Sequence, residues 1–297
     1  MMITAKIQGG IGNQMFQYAL SRHLTVINDS SLSLDLTFAY NKSLRQDFSY
    51  RGFPLSSFNV QHNLTSISKL AKNISVPGVF PKMSKLINET KESVGVQDYI
   101  RESVADRFGY NETILAKRGN LYLDGYWQNE KYFKKIRELL IQEFTLVDGF
   151  DDSANEIADK IKQTRESVSI HIRRGDYVGH PRYKGICTKQ YYKNAISFFR
   201  KNISKPMFFI FTDDVDYVKK ELNIEGSVFV SRSEISLQED LKLMSICNHN
   251  IIANSTFGWW GAWLNENEDK LVVTPSRWVN DSSNDGSSII PDNWTII

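Results

Sequence analysis

Cysteine is nearly missing from this chain: Cys187 and Cys247 are the only two in 297 residues, far apart and outside any CxxC or Cys/His cluster. That excludes a disulfide framework and a zinc site of familiar spacing, and predicts a reducing compartment. Long apolar runs are missing too. No window reaches the roughly 18 apolar residues of a membrane span, and MMITAKIQGG has neither the basic start nor the apolar stretch of a signal peptide, so a cytosolic location is expected. Charge of one sign is also not in excess. The 36 basic and 34 acidic residues leave a formal +2, too little for a global field that would steer nucleic acid, so any anion must be held locally. With 7 Pro and 17 Gly in a chain that is 41% hydrophobic, the composition is globular, and its length suggests two domains of roughly 150 residues each.

What is present is most ordered at the two ends of the chain. ITAKI, QGGIG, NQMFQYALSRHLTVIND and LSLDL read as strand, Gly-rich turn, helix and strand. The helix carries Met15, Tyr18, Ala19, Arg22 and Val26 at three- to four-residue spacing, with Phe16, Leu20, His23 and Leu24 widening the stripe. From 37 to 118, Ser, Asn and Lys scattered among short apolar runs such as FPLSSF and PGVFPKMSKLI predict mostly helix and loop. LYLDGYWQNEKYFKKIRELLIQEFTL predicts a short strand, then a helix with Tyr132, Phe133, Ile136, Leu139 and Leu140 as its apolar stripe. The Asp/Ser-rich start of the next helix, at 151 to 153, marks a boundary between domains 1–150 and 151–297. Beyond it, runs such as SVSIHI, PMFFIFT and KLVVTP alternate with helical patterns. Four strands with intervening helices imply a parallel, doubly wound sheet, in which ligands collect at the C-terminal strand ends.

The unusual residues follow those strands. In VSIHIRRGDY, Val168, Ile170 and Ile172 alternate with Ser169, His171 and Arg173, which puts His171 and Arg173 on one face and Arg174 on the other. Such an ending is either a solvated strand end or a grip on an anion. A guanidinium fork matches phosphate oxygens, and by parity Arg173 shares a cleft with His171 while Arg174 pairs with a neighbouring carboxylate. FIFTDDVDY contains a DxD, Asp214 to Asp216, of the kind that can hold a divalent metal, yet no further oxygen ligands stand at suitable spacing. Asp213 and Asp214 equally suit hydrogen bonds from a nucleobase edge, or a helix cap with Thr212. NSTFGWWGAWLN sets Asn254, Ser255 and Thr256 at a strand end before a helix, where free N–H groups favour negative charge. Trp259, Trp260 and Trp263 suit core packing, and Gly258, Gly261 and Ala262 would let that helix lie close to the sheet. In GGIGN, Gly10 and Gly12 fit the start of a dinucleotide fingerprint, with Asp35 as the ribose reader. Met15 takes the place of the third glycine, so the NAD(P)-dependent oxidoreductase reading is incomplete. Asn13 and Gln14 begin the helix with amides that would face a cleft.

Taken in order, GGIGNQMFQYA, DGYWQNEKYF, HIRRGDY, TDD and NSTFGWWGAWLN resemble the bacterial α-1,2-fucosyltransferases, whose family also includes the blood-group H enzymes. The resemblance implies an α/β, GT-B-like architecture, two Rossmann-like domains facing across a cleft, with 1–150 on the acceptor side and 151–297 holding GDP-fucose. It implies inverting transfer of L-fucose from GDP-β-L-fucose to the 2-hydroxyl of a terminal galactose, with no metal and no cofactor. On this chain Arg173 would hold the β-phosphate, and His171 and Asn13 would line the same pocket, with Gly10 and Gly12 beside Asn13. Asp213 or Asp214 would contact guanine, and Ser255 and Thr256, next to Asn254, would bind pyrophosphate oxygens. One position departs. Distant fucosyltransferases that share the Arg motif carry a catalytic Glu ten residues after its His, where this chain has Pro181, which leaves Asp176 and His180 as candidate bases. The partners implied are GDP-fucose and a galactose-terminated glycan, such as a lipid-linked O-antigen unit at the inner membrane face. Basic and aromatic residues at 131 to 137 offer a peripheral membrane contact. A saccharide-binding module using its aromatics is the non-enzymatic alternative.

Overall fold

The computed structural model describes residues 1–40, 52–65, 98–103, 106–231 and 234–297. PGVFPKMSKLI lies outside them. The chain divides into two compact units, Met1–Phe144 and Thr145–Ile297.

The N-terminal unit runs β1 (Met2–Lys6), α1 (Ile11–Asn28), β2 (Ser31–Asp35), β3 (Asn63–Leu64), β4 (Asp98–Arg101), β5 (Leu121–Asp124) and α2 (Arg137–Glu143). The strands form one parallel sheet in the order β3-β2-β1-β5-β4. The strands fan out to either side of β1, which places a switch of direction between β1 and β5, the point at which such sheets open a crevice. Helix α1 buries Met15, Phe16, Ala19, Leu20 and Leu24, a wider face than the first stripe alone. Val26, assigned to that stripe, is instead 49% exposed, because the buried face has turned toward Leu24. Arg22 pairs with Glu143 at 2.8 Å, and Tyr18 donates to the same carboxylate at 2.7 Å, which ties α1 to α2.

Two expectations need correction in this unit. The helix expected from Tyr132 onward is two single 3₁₀ turns, Glu130–Tyr132 and Lys134–Ile136, before α2 begins. Phe133 interrupts them with φ −145°, which lets Tyr132 and Phe133 both reach the core. Strands β3 and β4 lie in a stretch read as helix and loop. They are two and four residues long, too short for alternation to register.

The C-terminal unit runs α3 (Asp152–Gln163), β6 (Ser167–Ile172), α4 (Lys189–Asn202), β7 (Met207–Thr212), β8 (Val228–Phe229), α5 (Leu237–Ser245), β9 (His249–Ile251), α6 (Thr256–Trp263), β10 (Val272–Thr274) and β11 (Thr295–Ile296). Side chains cap four of the helices. Asp151 accepts from Ala154 N, Thr188 from Tyr191 N and Ser255 from Phe257 N, while Ser236 and Glu239 close a capping box. The sheet has six parallel strands rather than four, in the order β11-β10-β9-β6-β7-β8. This is the 3-2-1-4-5-6 order of dinucleotide-binding folds, with the switch between β6 and β9. Central β6 is buried along its whole length. Its Val168, Ile170 and Ile172 pack with Tyr192, Phe199 and Phe208, and on its other face Ser169 accepts from Asn250 at 2.7 Å. A parallel interior strand is covered on both faces, so its polar side is a buried one.

Candidate active site

Because β6 and β9 flank the switch point, the segments that leave them, RRGDY and NSTFG, stand at the mouth of one crevice within the C-terminal unit. The arginines come first. Arg173 places Nη1 2.7 Å from Asp213 and Nη2 2.7 Å from Asp176. Arg174 donates through Nε to Asp214 at 2.9 Å and lies flat on Tyr217, 3.5 Å from the ring centroid. The Arg174 backbone N–H donates to Asp213 at 2.8 Å. Gly175 passes so close that a Cβ there would sit 2.9 Å from the Asp213 carboxylate.

Both aspartates of TDD therefore turn back onto the arginines. Asp214 also accepts from Tyr217 N at 3.0 Å, and that bond and Arg174 hold its carboxyl below the usual range. Each of the four carboxylate oxygens thus has one partner. Among the described residues no three His, Cys, Asp or Glu side chains converge as a metal-binding group.

His171 is enclosed. Burial, with the Arg173 charge adding to it, pushes its pKa down to about 3, so the imidazole is neutral at working pH. Its Nδ1 has no hydrogen-bond partner and faces Gly258, where a Cβ would stand 2.5 Å away. Gly258 is thus what lets α6 reach β6, and Gly261 does the same against Met244 of α5 rather than against the sheet. A Gly258→Ala variant is expected to lose about 1–3 kcal/mol, the usual cost of overpacking. Chemical denaturation checks this; an unchanged midpoint at constant slope would show that the contact yields.

Helix α6 begins beside the arginines. Ser255 stands near the Tyr177 phenol, and Arg173 lies 5.6 Å from the Tyr177 ring. Thr256 is the first helical residue. Asn254 is tied to the scaffold instead: its amide donates to Trp278 O at 2.9 Å and its oxygen faces Cys187 Sγ at 3.4 Å. Trp259, Trp260 and Trp263 are all buried.

The candidate bases are both engaged. Asp176 is held by Arg173. His180 accepts the Arg182 N–H at Nδ1, 3.2 Å away. Inspection of the sequence missed a further carboxylate, Asp240 on α5. It is 5% exposed, and burial lifts its pKa to about 6. One oxygen accepts the Ser231 hydroxyl at 2.7 Å; the other has no partner. Ser231 in turn accepts Thr212 N at the end of β7. The signal was an Asp one helical turn before the buried Leu243 and Met244, a charge on an apolar face.

In the N-terminal unit, Gly9 takes φ +80° and Gly10 precedes α1 with no side-chain cap. Gly12 is buried in the first turn. Asn13 accepts from Gln128 at 2.8 Å, joining GGIGN to DGYWQNE across the β1/β5 switch. Gln14 is fully buried, with its amide on Gly9 O and Gly52 O, and so does not face outward as its position suggested. Asp35 takes the Thr37 N–H and hydroxyl and the Tyr122 hydroxyl, which leaves it a poor ribose reader.

The model of glycosyl transferase family 11 matches residues 2–297. The chain belongs to that family. It is 34% identical to an α-1,2-colitosyltransferase of Escherichia coli, covering 100% of this chain and 99% of the relative. It is 31% identical to the O-antigen biosynthesis glycosyltransferase WbnK of Escherichia coli, covering 97% and 98%. A galactoside α-(1,2)-fucosyltransferase 1 of Aotus azarae matches at 31% over 48% of this chain and 43% of its own. Among solved structures, the fucosyltransferase NodZ from Bradyrhizobium superposes with a TM-score of 0.51 at 14% identity, covering 88% and 90%, a likeness of fold. The architecture of this family 11 glycosyltransferase is thus α/β and GT-B-like, two Rossmann-like units. No helix among the described residues is long and apolar enough to cross a membrane.

Proposed function

We propose that this glycosyltransferase moves L-fucose from GDP-β-L-fucose to the 2-hydroxyl of a terminal galactose, with inversion and without a metal, in the assembly of O-antigen or a related bacterial polysaccharide. The observation that carries the reading is that Arg173 leaves β6 and α6 follows β9 at one switch point of the sheet. Breaking the bond from fucose C1 to oxygen sends its electron pair to the β-phosphate of GDP. A fixed guanidinium and the positive end of the α6 dipole stabilise that charge as it forms. Arg173, Ser255 and Thr256 are assigned to the diphosphate. Asp213 and Asp214 are reassigned from guanine contact to holding the arginine pair in place. Asp240 is the proposed guanine reader: its unpartnered oxygen, enclosed in the ligand-free protein, would accept the ring N–H and amino donors of that base once uncovered. His171, neutral and enclosed, shapes the pocket wall.

The proton on the acceptor hydroxyl needs a carboxylate. Asp176 is 54% exposed on a one-turn helix, and its hold on Arg173 Nη2 is one that a phosphate oxygen can take over. Donor binding would then release Asp176 as base, so that it stays paired until GDP-fucose is in place. Attack by the galactose oxygen forms the new bond to C1 as the phosphate leaves, and Asp176 receives the proton. A peripheral contact with the inner membrane rests on exposed Lys131, Lys134 and Lys135, because Tyr132 and Phe133 belong to the core.

A second reading, colitose in place of fucose, is favoured by the 34% identity to the colitosyltransferase. Purified protein with EDTA and a β-galactoside, offered GDP-fucose and GDP-colitose in parallel, separates the two. Fucosyl product undiminished by EDTA is expected; colitosyl product alone moves the assignment to the second donor, and loss of turnover that Mg²⁺ restores contradicts the metal-free mechanism.

A further inference from the structure

Along the edge strand of the N-terminal sheet lies a cavity of about 280 Å³ between β4, the 106–117 segment and the turn after β5. We propose that it binds the sugar that precedes the terminal residue of the acceptor glycan, an inference that rests on the glycan-transfer reading above. Its size is just under the roughly 300 Å³ at which sites for drug-sized ligands begin, which suits one pyranose ring and not a nucleotide.

The lining matches a neutral polyol. Asp98, Glu102 and Asp106 face it with Arg101 and Lys117, so three carboxylates meet two cations and no net positive charge favours an anion. Donors and acceptors alternate with capacity to spare. Asn111 uses its oxygen to accept from the Thr113 N–H and hydroxyl, and its Nδ2 has no partner among the described residues. The Tyr132 hydroxyl accepts from Asn111 N at 2.9 Å, which leaves its own proton to donate. Arg101 makes no ion pair among the described residues. Tyr99, 41% exposed, adds ring surface for the apolar face of a sugar.

The turn that closes the cavity is held under strain. Trp127 has φ +56°, which is costly for a bulky side chain, and Glu102 fixes it by accepting from Tyr126 N at 2.8 Å and Trp127 N at 2.9 Å. Gly125 leaves no room for a side chain, since a Cβ would meet Glu102 Cβ at 2.4 Å. The next residue, Gln128, reaches Asn13 at the β1/β5 switch. One rigid turn therefore links the cavity to the crevice end of the same sheet, as neighbouring subsites for linked sugars require.

Arg101→Leu and Asn111→Asp test the assignment; the second keeps the capping oxygen and removes the donor. Acceptors are methyl β-galactoside and disaccharides bearing β-galactose on N-acetylglucosamine or N-acetylgalactosamine. The ratio of kcat/KM for the preferred disaccharide to that for methyl β-galactoside is expected to fall about tenfold in each variant, in KM, as for one lost hydrogen bond of this kind. An unchanged ratio overturns the proposal. Saturation-transfer NMR with the disaccharide and no donor reads binding alone: wild-type protein should saturate both rings, and the variants only the galactose. Absence of transfer to the second ring in wild type overturns the site even where fucosylation proceeds. Contact with that ring but no turnover from GDP-fucose sinks the reaction reading and leaves the cavity standing.

Discussion

An Arg173→Ala variant is expected to fold and to lose at least about 10²-fold in kcat, the effect of removing one preorganised donor at a developing charge. Folding should persist because the carboxylates it leaves behind, Asp176 and Asp213, are 54% and 26% exposed, and ion pairs at that exposure contribute little. The loss should fall on kcat more than on KM, since the charge that Arg173 meets is largest as GDP departs. Lysine at this position keeps the charge but not the planar fork, so Arg173→Lys should recover only part of the rate. Arg174→Ala is the internal control. Its guanidinium is taken up by Asp214 and the Tyr217 ring, so its removal should loosen the segment after β7 and lower thermal stability more than turnover. Steady-state kinetics of the three proteins, with circular dichroism to confirm folding, checks the set. Near-normal turnover in folded Arg173→Ala would sink the assignment.

The second large effect is expected at Asp240. A buried carboxylate with an unpartnered oxygen is an unfavourable state, and two guanine N–H donors would relieve it. Asp240→Asn should weaken GDP about 10- to 150-fold, the range for hydrogen bonds to a charged group, and narrow the preference for GDP over ADP. The pH dependence follows from its raised pKa. On the proposed assignment guanine takes the ionised form, so below about pH 6 a proton competes for the same oxygen, and GDP affinity should fall by up to tenfold per pH unit. The variant should be flat over that interval. Stability runs the other way. The folded state favours protonated Asp240, so its contribution is fullest below the unfolded value of 3.8 and is lost as pH rises through about 6. At neutral pH the ligand-free protein therefore carries a penalty that Asp240→Asn should remove, raising Tm while binding weakens. Calorimetric titration of GDP from pH 5 to 8 reads the binding arm. A pH-independent wild type would contradict the role of Asp240.

Much of this was legible in the chain, for local reasons. GGIGN after ITAKI announces a β-α-β unit, and the alternation in VSIHIRRGDY separates Arg173 from Arg174, because both signals depend on near neighbours. What covers β6 was not legible: parity says which side chains share a face, not that Ser169 and His171 are enclosed. TDD was ambiguous for the same reason, since only the pairing of β6 with β7 brings Asp213 and Asp214 against the arginines. Asp240 was hidden because a carboxylate on a helix is ordinarily a solvated one. The short strands β3, β4 and β11 are fixed by pairing with neighbours, and two to four residues cannot show a period. The break at Phe133 is likewise tertiary, two rings drawn into the core at the cost of one helix.

The most direct measurement is a crystal structure of the complex with GDP. The β-phosphate should lie about 3 Å from the Arg173 guanidinium and from N–H groups at the start of α6, with Asp176 displaced from Nη2 and guanine on Asp240. A diphosphate seated instead on the α1 N-terminus at Gly10 and Gly12, with Arg173 still clamped between Asp176 and Asp213, would contradict it.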